Sequence, residues 1–352
     1  MNKGGPNIRK IAELAGVSIA SVSRALQDTP SKSVSAALRK RILAICEANH
    51  YYPNEHTRRM FAGRSRTISF LYPAGAVCNE DSMLDIDLNF SACLASAQAA
   101  LAQKGYGLLL NEMNDGQTGD SILHMVRGRA VDGVLVWGCD AYAPWLQQLV
   151  EEGAPVLMLQ TKAASCPCPV VASDDYSGMS GVVERAIRAG HRMFALLPAP
   201  GGSNVGENRN RAVHETLAKH GMKPAIVAVP GGFGYQAGCQ MTKNLLPQLH
   251  GVTCIVASND MAAWGCIDTL RANGLSVPRE ISVTGATGLC FPGDVRIDSF
   301  GLPSQEIGRR GAQLLLEMLN ENYSVASVLL PVKQVKGTTL RPISRRNKRV
   351  LE

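Results

Sequence analysis

From Arg66 to about residue 340, short apolar runs alternate with segments of helical periodicity, and few folds accommodate that order. The candidate strands are Ile68–Tyr72, Gly107–Leu110, Gly133–Trp137, Val156–Leu159, Phe194–Leu197, Ile226–Val229, Cys254–Ala257 and Ile281–Thr284. Between them the apolar spacing predicts helices at Leu94–Lys104, Gly178–Ala189, Arg211–His220, Gly238–Leu246, Ala262–Asn273 and Ser304–Leu319. Strand–helix alternation of this kind points to an α/β protein with parallel sheets. About 275 residues is large for one sheet and suits two doubly wound lobes.

The first sixty-five residues are of a different kind. Eleven lysines and arginines lie there against four acids, so the whole net charge of +7 sits in the first fifth of the chain. A basic module on a neutral body points to a polyanion at one end. Asn7 can cap a short helix that buries Ile8, Ile11 and Ala15. Gly16 supplies a left-handed turn and Ser18 can cap a second helix, about Ile19 to Leu26, with Val22, Ala25 and Leu26 inward. Ile19, Ala20, Ser23, Arg24 and Gln27 share its outward face. A third helix starts near Ser35 and packs through Leu38, Ile42 and Ile45. Three short helices with a glycine turn between the first two describe a helix-turn-helix, whose second helix enters the major groove. The outward face is small and uncharged except for Arg24, which can bond guanine O6 and N7.

The run IRKIAELAGVSIASVSRAL resembles the DNA-binding signature of LacI/GalR-type transcriptional regulators. HYYPN followed by RRMFAGRS is similar to that family's third-helix exit and hinge. Further landmarks are VDGVLVW, DDYSG, GHR, SNDMAAWG, VPREISVTG and VKGTTL, so the resemblance covers nearly the whole chain. It implies an α-helical helix-turn-helix domain over residues 1–53 and a hinge helix and linker over 54–65. A two-lobed, doubly wound periplasmic-binding-protein-like effector and dimerisation domain would span 66–340, and a basic tail 341–352. It implies that Asn7, Ser18 and Ser21 hold phosphates, and that Ile19, Ala20 and Arg24 read bases. Tyr51 and Asn54 would lie beside the backbone, Arg58 would supply phosphate charge, and the hinge helix of residues 54–61 would fold only in the DNA-bound dimer. Met60 stands where the family usually wedges a leucine into the minor groove; Met is apolar and flexible enough to do so. Phe61, where a polar residue is commoner, is a departure.

Ligands in open α/β sheets sit beyond the carboxyl ends of strands. Mapped on the family pattern, the effector candidates there are Phe90, Gln160, Ser203, Arg209, Phe233, Asn259 and Thr287. Arg209 suits hydroxyls or carboxylates, and Phe233 a ring face. Thr287 stands where many sugar-binding members carry an aspartate, and DLNF replaces the commoner NPFF. These departures leave open a ligand different from the usual neutral sugars, or loss of small-molecule control; the effector classes expected are a sugar, a sugar acid or a sugar phosphate.

Other chemistry finds little support. Gly232-Phe-Gly234-Tyr-Gln-Ala-Gly238 is a near relative of a dinucleotide fingerprint, but the acid it needs lies after the next strand. There is no Gly-Lys-Ser/Thr phosphate loop, no H-E-x-x-H and no G-x-S-x-G, so neither catalysis, nor a metal, nor a cofactor is expected. No apolar run reaches the ~18 residues of a membrane span. MNKGGPNIRK has no apolar stretch behind its basic residues and does not read as a signal peptide, so the protein is expected in the cytoplasm, and at the nucleoid if it binds DNA as the resemblance implies. The ten scattered cysteines are expected to be reduced and mostly buried. The tail lacks leucine heptads, which favours a homodimer on a pseudo-palindromic operator. The other reading is a cytosolic solute-binding or sugar-processing α/β protein with an incidental basic N-terminus.

Overall fold

A computed structural model of the chain describes residues 7–26, 34–52, 64–73, 87–113, 118–138, 144–162, 166–291, 295–321 and 325–343. The chain divides into two compact units, Met1–Arg66 and Thr67–Glu352.

The first unit holds α1 (Ile8–Ala15), α2 (Ile19–Ala25) and α3 (Ala36–Ala48). Each start is capped by a short polar side chain. Asn7 Oδ1 accepts from Lys10 N at 3.0 Å, Ser18 Oγ from Ser21 N at 3.1 Å and Ser35 Oγ from Leu38 N at 3.3 Å. Such caps typically contribute about 1 kcal/mol each, which matters for helices of seven or eight residues. Gly16 ends α1 at φ +62°, and its amide returns to the carbonyls of Ala12 and Glu13. Ile11, Ala12, Ala15, Val22, Ala25, Ile42 and Cys46 form the core. Arg39 Nε donates to Ala25 O at 3.0 Å and fastens α3 to the end of α2.

The second unit is built on two parallel sheets and one two-stranded antiparallel ribbon. The first lobe contains β1 (Thr67–Pro73), α4 (Leu88–Ala102), β2 (Gly107–Met113), α5 (Thr118–Arg127), β3 (Gly133–Trp137), α6 (Pro144–Glu151), β4 (Val156–Leu159) and β5 (Val170–Ser173). The second contains α7 (Asp175–Arg188), β6 (Phe194–Leu197), α8 (Asn204–Lys219), β7 (Ile226–Val227), α9 (Tyr235–Leu245), β8 (Cys254–Ala257), α10 (Asp260–Ala272), β9 (Ser282–Thr284) and β10 (Ser299–Gly301). The chain then returns to the first lobe with α11 (Ser304–Glu321) and β11 (Val328–Leu330), and ends in the second with β12 (Lys333–Val335). Strand order is β11-β5-β4-β3-β1-β2 in one sheet and β7-β6-β8-β9 in the other; β10 and β12 pair antiparallel. The lobes are therefore joined by three crossings, after β5, β10 and β11.

Fully buried strands explain the unbroken apolar runs: every residue of β3, β4, β6 and β8 is buried. α4 and α11 pack closely, because a Cβ at Gly308 would stand 2.1 Å from Cys93 O. Cys46, Cys93, Cys166, Cys168, Cys254 and Cys266 are buried thiols.

Several elements differ from the sequence expectation. α4 begins at Leu88 and not at Leu94, because Asp87 Oδ1 accepts from the amides of Asn89 and Phe90 at 3.0 and 3.1 Å. α8 begins at Asn204, seven residues before Arg211; its polar first turns, NVGENRN, carry no apolar period. β5 follows a proline-rich stretch that reads as loop, and β10, β11 and β12 are three-residue strands below the reach of periodicity. α5 and α6 were not anticipated either.

Candidate functional site

In the helical unit, α2 keeps Val22 and Ala25 buried and turns its other face to solvent. Ile19 is 44% exposed, and Ala20 and Arg24 are exposed beside it. An exposed isoleucine and alanine flanking one arginine can touch base edges and thymine methyls. The Ser18 and Ser21 hydroxyls lie 2.9 Å apart at the start of the same helix, where unpaired amides attract phosphate. Asn7 uses its carbonyl in the α1 cap, so its amide side would meet a phosphate. Tyr51 is half-buried against the three-helix core, and burial raises its phenol. Asn54, Arg58, Met60, Phe61 and the rest of the hinge at 54–61 lie outside the described residues, as does the tail from 344.

In the second unit, the carboxyl ends of β1, β3, β4, β6, β8 and β9 converge on a cleft of about 840 Å³ between the lobes. Its wall includes Gln160, Ser203, Arg209, Phe233, Asn259 and Thr287, six of the seven residues expected there. Phe90 is the exception and a correction. It is 1% exposed and packs its edge on Phe70 (5.9 Å between centroids) and Trp137 (6.0 Å). The early start of α4 turns Phe90 into the core, and Asp87, Leu88 and Asn89 line the cleft instead.

The polar wall is heavily cross-linked. Arg209 is 3% exposed. Its Nε donates to Asp175 Oδ1 at 2.7 Å, Nη2 lies 2.5 Å from the same oxygen, and Nη1 donates to Ser258 O at 3.0 Å. The other carboxylate oxygen, Asp175 Oδ2, accepts from Gln160 Nε2 at 2.9 Å and Ser173 Oγ at 2.7 Å. Gln160 and Ser173 belong to the first lobe and Arg209 to the second, so one carboxylate at the first crossing is held from both sides. Asn259 Oδ1 caps α10 by accepting from Ala262 N at 2.8 Å, and its Nδ2 donates to Phe233 O at 2.6 Å, fixing the glycine loop. Ser203 stands at the N-cap position of α8 but makes no capping bond.

Two wall residues have left-handed backbones, Gln160 at φ +66° and Thr287 at φ +103°. For a β-branched threonine that is strained, and such strain gathers at ligand sites. Burial raises the carboxyl of Asp87 against the opposing amides of Phe90 and Asn89. Asp260, fully buried behind the wall, is pushed up to about 7 by desolvation, although the Leu289 amide donates to its Oδ2 at 2.7 Å.

Asp175 and Asp87 were missed by sequence reasoning. Asp174 and Asp175 read together as a helix start, and Asp174 is the cap, accepting from Ser177 N at 3.0 Å. Asp175 is the next residue and points inward. The glycine-rich stretch also resolves: Gly238 lies inside α9, where a Cβ would meet Ala262 O at 2.2 Å, so it serves helix packing and not a pyrophosphate. Among the described residues no group of three His, Cys, Asp or Glu could hold a metal, and no helix is long and apolar enough to cross a membrane.

Comparison with known proteins agrees with both units. Residues 7–54 match the bacterial regulatory proteins of the lacI family, and residues 183–340 match a periplasmic binding protein-like domain. The probable HTH-type transcriptional repressor ExuR of Bacillus subtilis is 26% identical over 327 residues, covering 92% of this chain and 94% of the relative. The ribose operon repressor of the same organism is 25% identical, covering 95% and 98%. Among solved structures, the lac repressor dimer bound to operator and the anti-inducer ONPF superposes with a TM-score of 0.80 at 22% identity. That match covers 96% of this chain and all of the other. The CelR–cellobiose complex superposes with a TM-score of 0.70 at 23% identity, covering 95% and 99%. A capped second helix with an exposed outward face, a two-lobed body crossed three times and relatives matched over nearly their whole length thus coincide: the chain belongs to the LacI family of bacterial regulatory proteins, which are DNA-binding transcription regulators and not enzymes.

Proposed function

We propose that the protein is a homodimeric repressor in which two helical modules bind the half-sites of a pseudo-palindromic operator, and that a small molecule in the cleft of the body controls operator affinity. The carrying observation is the α2 surface, where exposed Ile19, Ala20 and Arg24 stand on a helix whose other face is fully buried. Ser18, Ser21 and Asn7 would hold phosphates around it, with Tyr51 and Asn54 at the module's end. Arg58 and Met60 would act in the hinge, Met60 as a minor-groove wedge. In the body, Gln160, Ser203, Arg209, Phe233, Asn259 and Thr287 would face the effector, and closure of the lobes on it would shift the hinge.

Two-fold pairing has support in the sheet edges. β2 exposes Leu109 and Leu110 (40% and 47%), and Val227 and Val229 at the β7 edge are 47% and 81% exposed. Apolar edge strands of this kind are normally covered. The lac repressor neighbour is itself a dimer on operator, and the CelR neighbour holds cellobiose, which supports a sugar-like effector here. The site of action is the cytoplasm, at the nucleoid.

The test is a fluorescence titration of the full chain against duplex DNA at two salt concentrations. A regulator of this kind loses affinity steeply with salt, with a slope of about −0.9 for each phosphate neutralised. Absence of DNA binding at low salt would leave only a solute-binding protein.

A further inference from the structure

Arg209 is the only cationic side chain among the described residues of the cleft wall, and its charge is already spent. Asp175 takes both its Nε and its Nη2, and Ser258 O takes Nη1. The pair is 4% and 2% exposed, so water does not screen it. Asp87 stands in the same wall, and Asp260 lies fully buried behind Leu289. One carboxylate thus pairs with the guanidinium directly, and Asp87 and Asp260 lie near enough to interact with its charge. The rest of the wall is uncharged, with Trp137, Phe233, Met261 and Leu302 among its apolar members.

From this arrangement we infer that Asp175 is a specificity-determining residue: by neutralising Arg209 it makes the cleft refuse anionic effectors and admit uncharged, hydroxyl-bearing ones. With Asp175 in place an acid or phosphate would find only the N–H groups left over on Nη1 and Nη2 and no net positive charge, and to gain the full charge of the guanidinium it would have to displace Asp175. That would leave a buried carboxylate with only Gln160 and Ser173 as donors, a costly state. An uncharged polyol imposes no such exchange, since its hydroxyls can accept and donate around the intact pair. Sugar acids and sugar phosphates are therefore the excluded classes. The inference rests on the proposed reading of the cleft as the effector site.

Inorganic phosphate and ribose 5-phosphate are suitable probes, followed by calorimetry and thermal shift on the full chain. Asp175→Asn keeps the side-chain shape and removes the charge. The variant should bind both anions at least about tenfold more tightly than the parent, since a unit charge a few ångströms away is removed at low effective dielectric. Adding Arg209→Gln to it should abolish that gain, which separates the cleft from phosphate binding by the basic helical unit. Asp175→Ser, smaller and able to accept from Gln160, serves if the first variant does not fold. The inference is overturned if the parent binds either anion in a manner that Arg209→Gln removes, or if a folded Asp175 variant gains no anion affinity. Operator titration of the same variants reports the regulatory reading separately. Intact DNA binding with no anion gain sinks only this inference, whereas loss of operator binding by the parent sinks the reading it rests on.

Discussion

Replacing Asp175 by alanine removes one member of a buried ion pair and leaves the other with no counter-charge. The pair has side chains 4% and 2% exposed, and the guanidinium sits between Ser258 O and the Phe300 ring, 5.7 Å from its centroid. Breaking such a pair from one side costs about 3–5 kcal/mol. The Gln160 amide and Ser173 hydroxyl also lose their acceptor, each a loss of roughly 1 kcal/mol that overlaps the first figure. A domain of this size responds by about 2–4 °C per kcal/mol, so the melting temperature of Asp175→Ala should fall by roughly 6–20 °C. Differential scanning calorimetry measures it, and a double-mutant cycle isolates the cause. Arg209→Met alone should also destabilise, but the double variant should be less destabilised than the sum of the two, because the stranded charge is gone. Additive losses, or a fall of under about 1 kcal/mol for Asp175→Ala, would show that the carboxylate and the guanidinium are not coupled as a buried pair.

Three further outcomes follow from other parts of the molecule. Arg24→Ala should weaken operator binding by about 1–3 kcal/mol and relax preference at one base pair per half-site, as read by competition with substituted operators; an equal loss on random DNA would make Arg24 a phosphate contact. Arg209→Ala should abolish the response of operator affinity to effector while DNA affinity without effector stays within about threefold, a split that gel-shift titration measures. Asp260, with its carboxyl raised to about 7, binds more protons folded than unfolded between about pH 4 and 7. Its contribution is therefore fully present at low pH and lost as pH rises towards 7. Asp260→Asn should flatten that part of the stability–pH profile by roughly 4 kcal/mol, measured by urea unfolding, and an unchanged slope would refute the assignment.

How much could be read from sequence depended on how local the cause was. The helical unit was legible almost throughout, because Asn7, Ser18 and Ser35 cap their own helices within three residues and Gly16 turns within its own φ. Buried strands such as Gly133–Trp137 and Cys254–Ala257 showed themselves as apolar runs. What escaped was set at long range. β11 gains its place only by pairing with β5, some 155 residues earlier, in the register Val328 to Val171. Phe90 was misplaced because a single aspartate cap moved the start of α4 and rotated its first turn. Asp175 was legible as an acid at a helix start, but its partner Arg209 lies 34 residues on, in the next helix, and its other partners Gln160 and Ser173 lie across the lobe boundary.

The triple crossing also sets an order of assembly during synthesis. The helical unit closes its core within residues 7–52, so it can form as soon as that stretch leaves the ribosome. The first lobe cannot be finished in the same way. Its sheet lacks an outer strand until Val328–Leu330 appears, and its long helix α4 lacks a cover until Ser304–Glu321 is made. Every residue of the second lobe's parallel sheet is translated before either arrives. The nascent body must therefore carry an unsealed first lobe for most of its synthesis, and the last fifty or so residues close both halves at once. A chain interrupted in that last stretch would keep its helical unit whole and display the apolar face of α4, the state in which chaperone capture and proteolysis compete with completion.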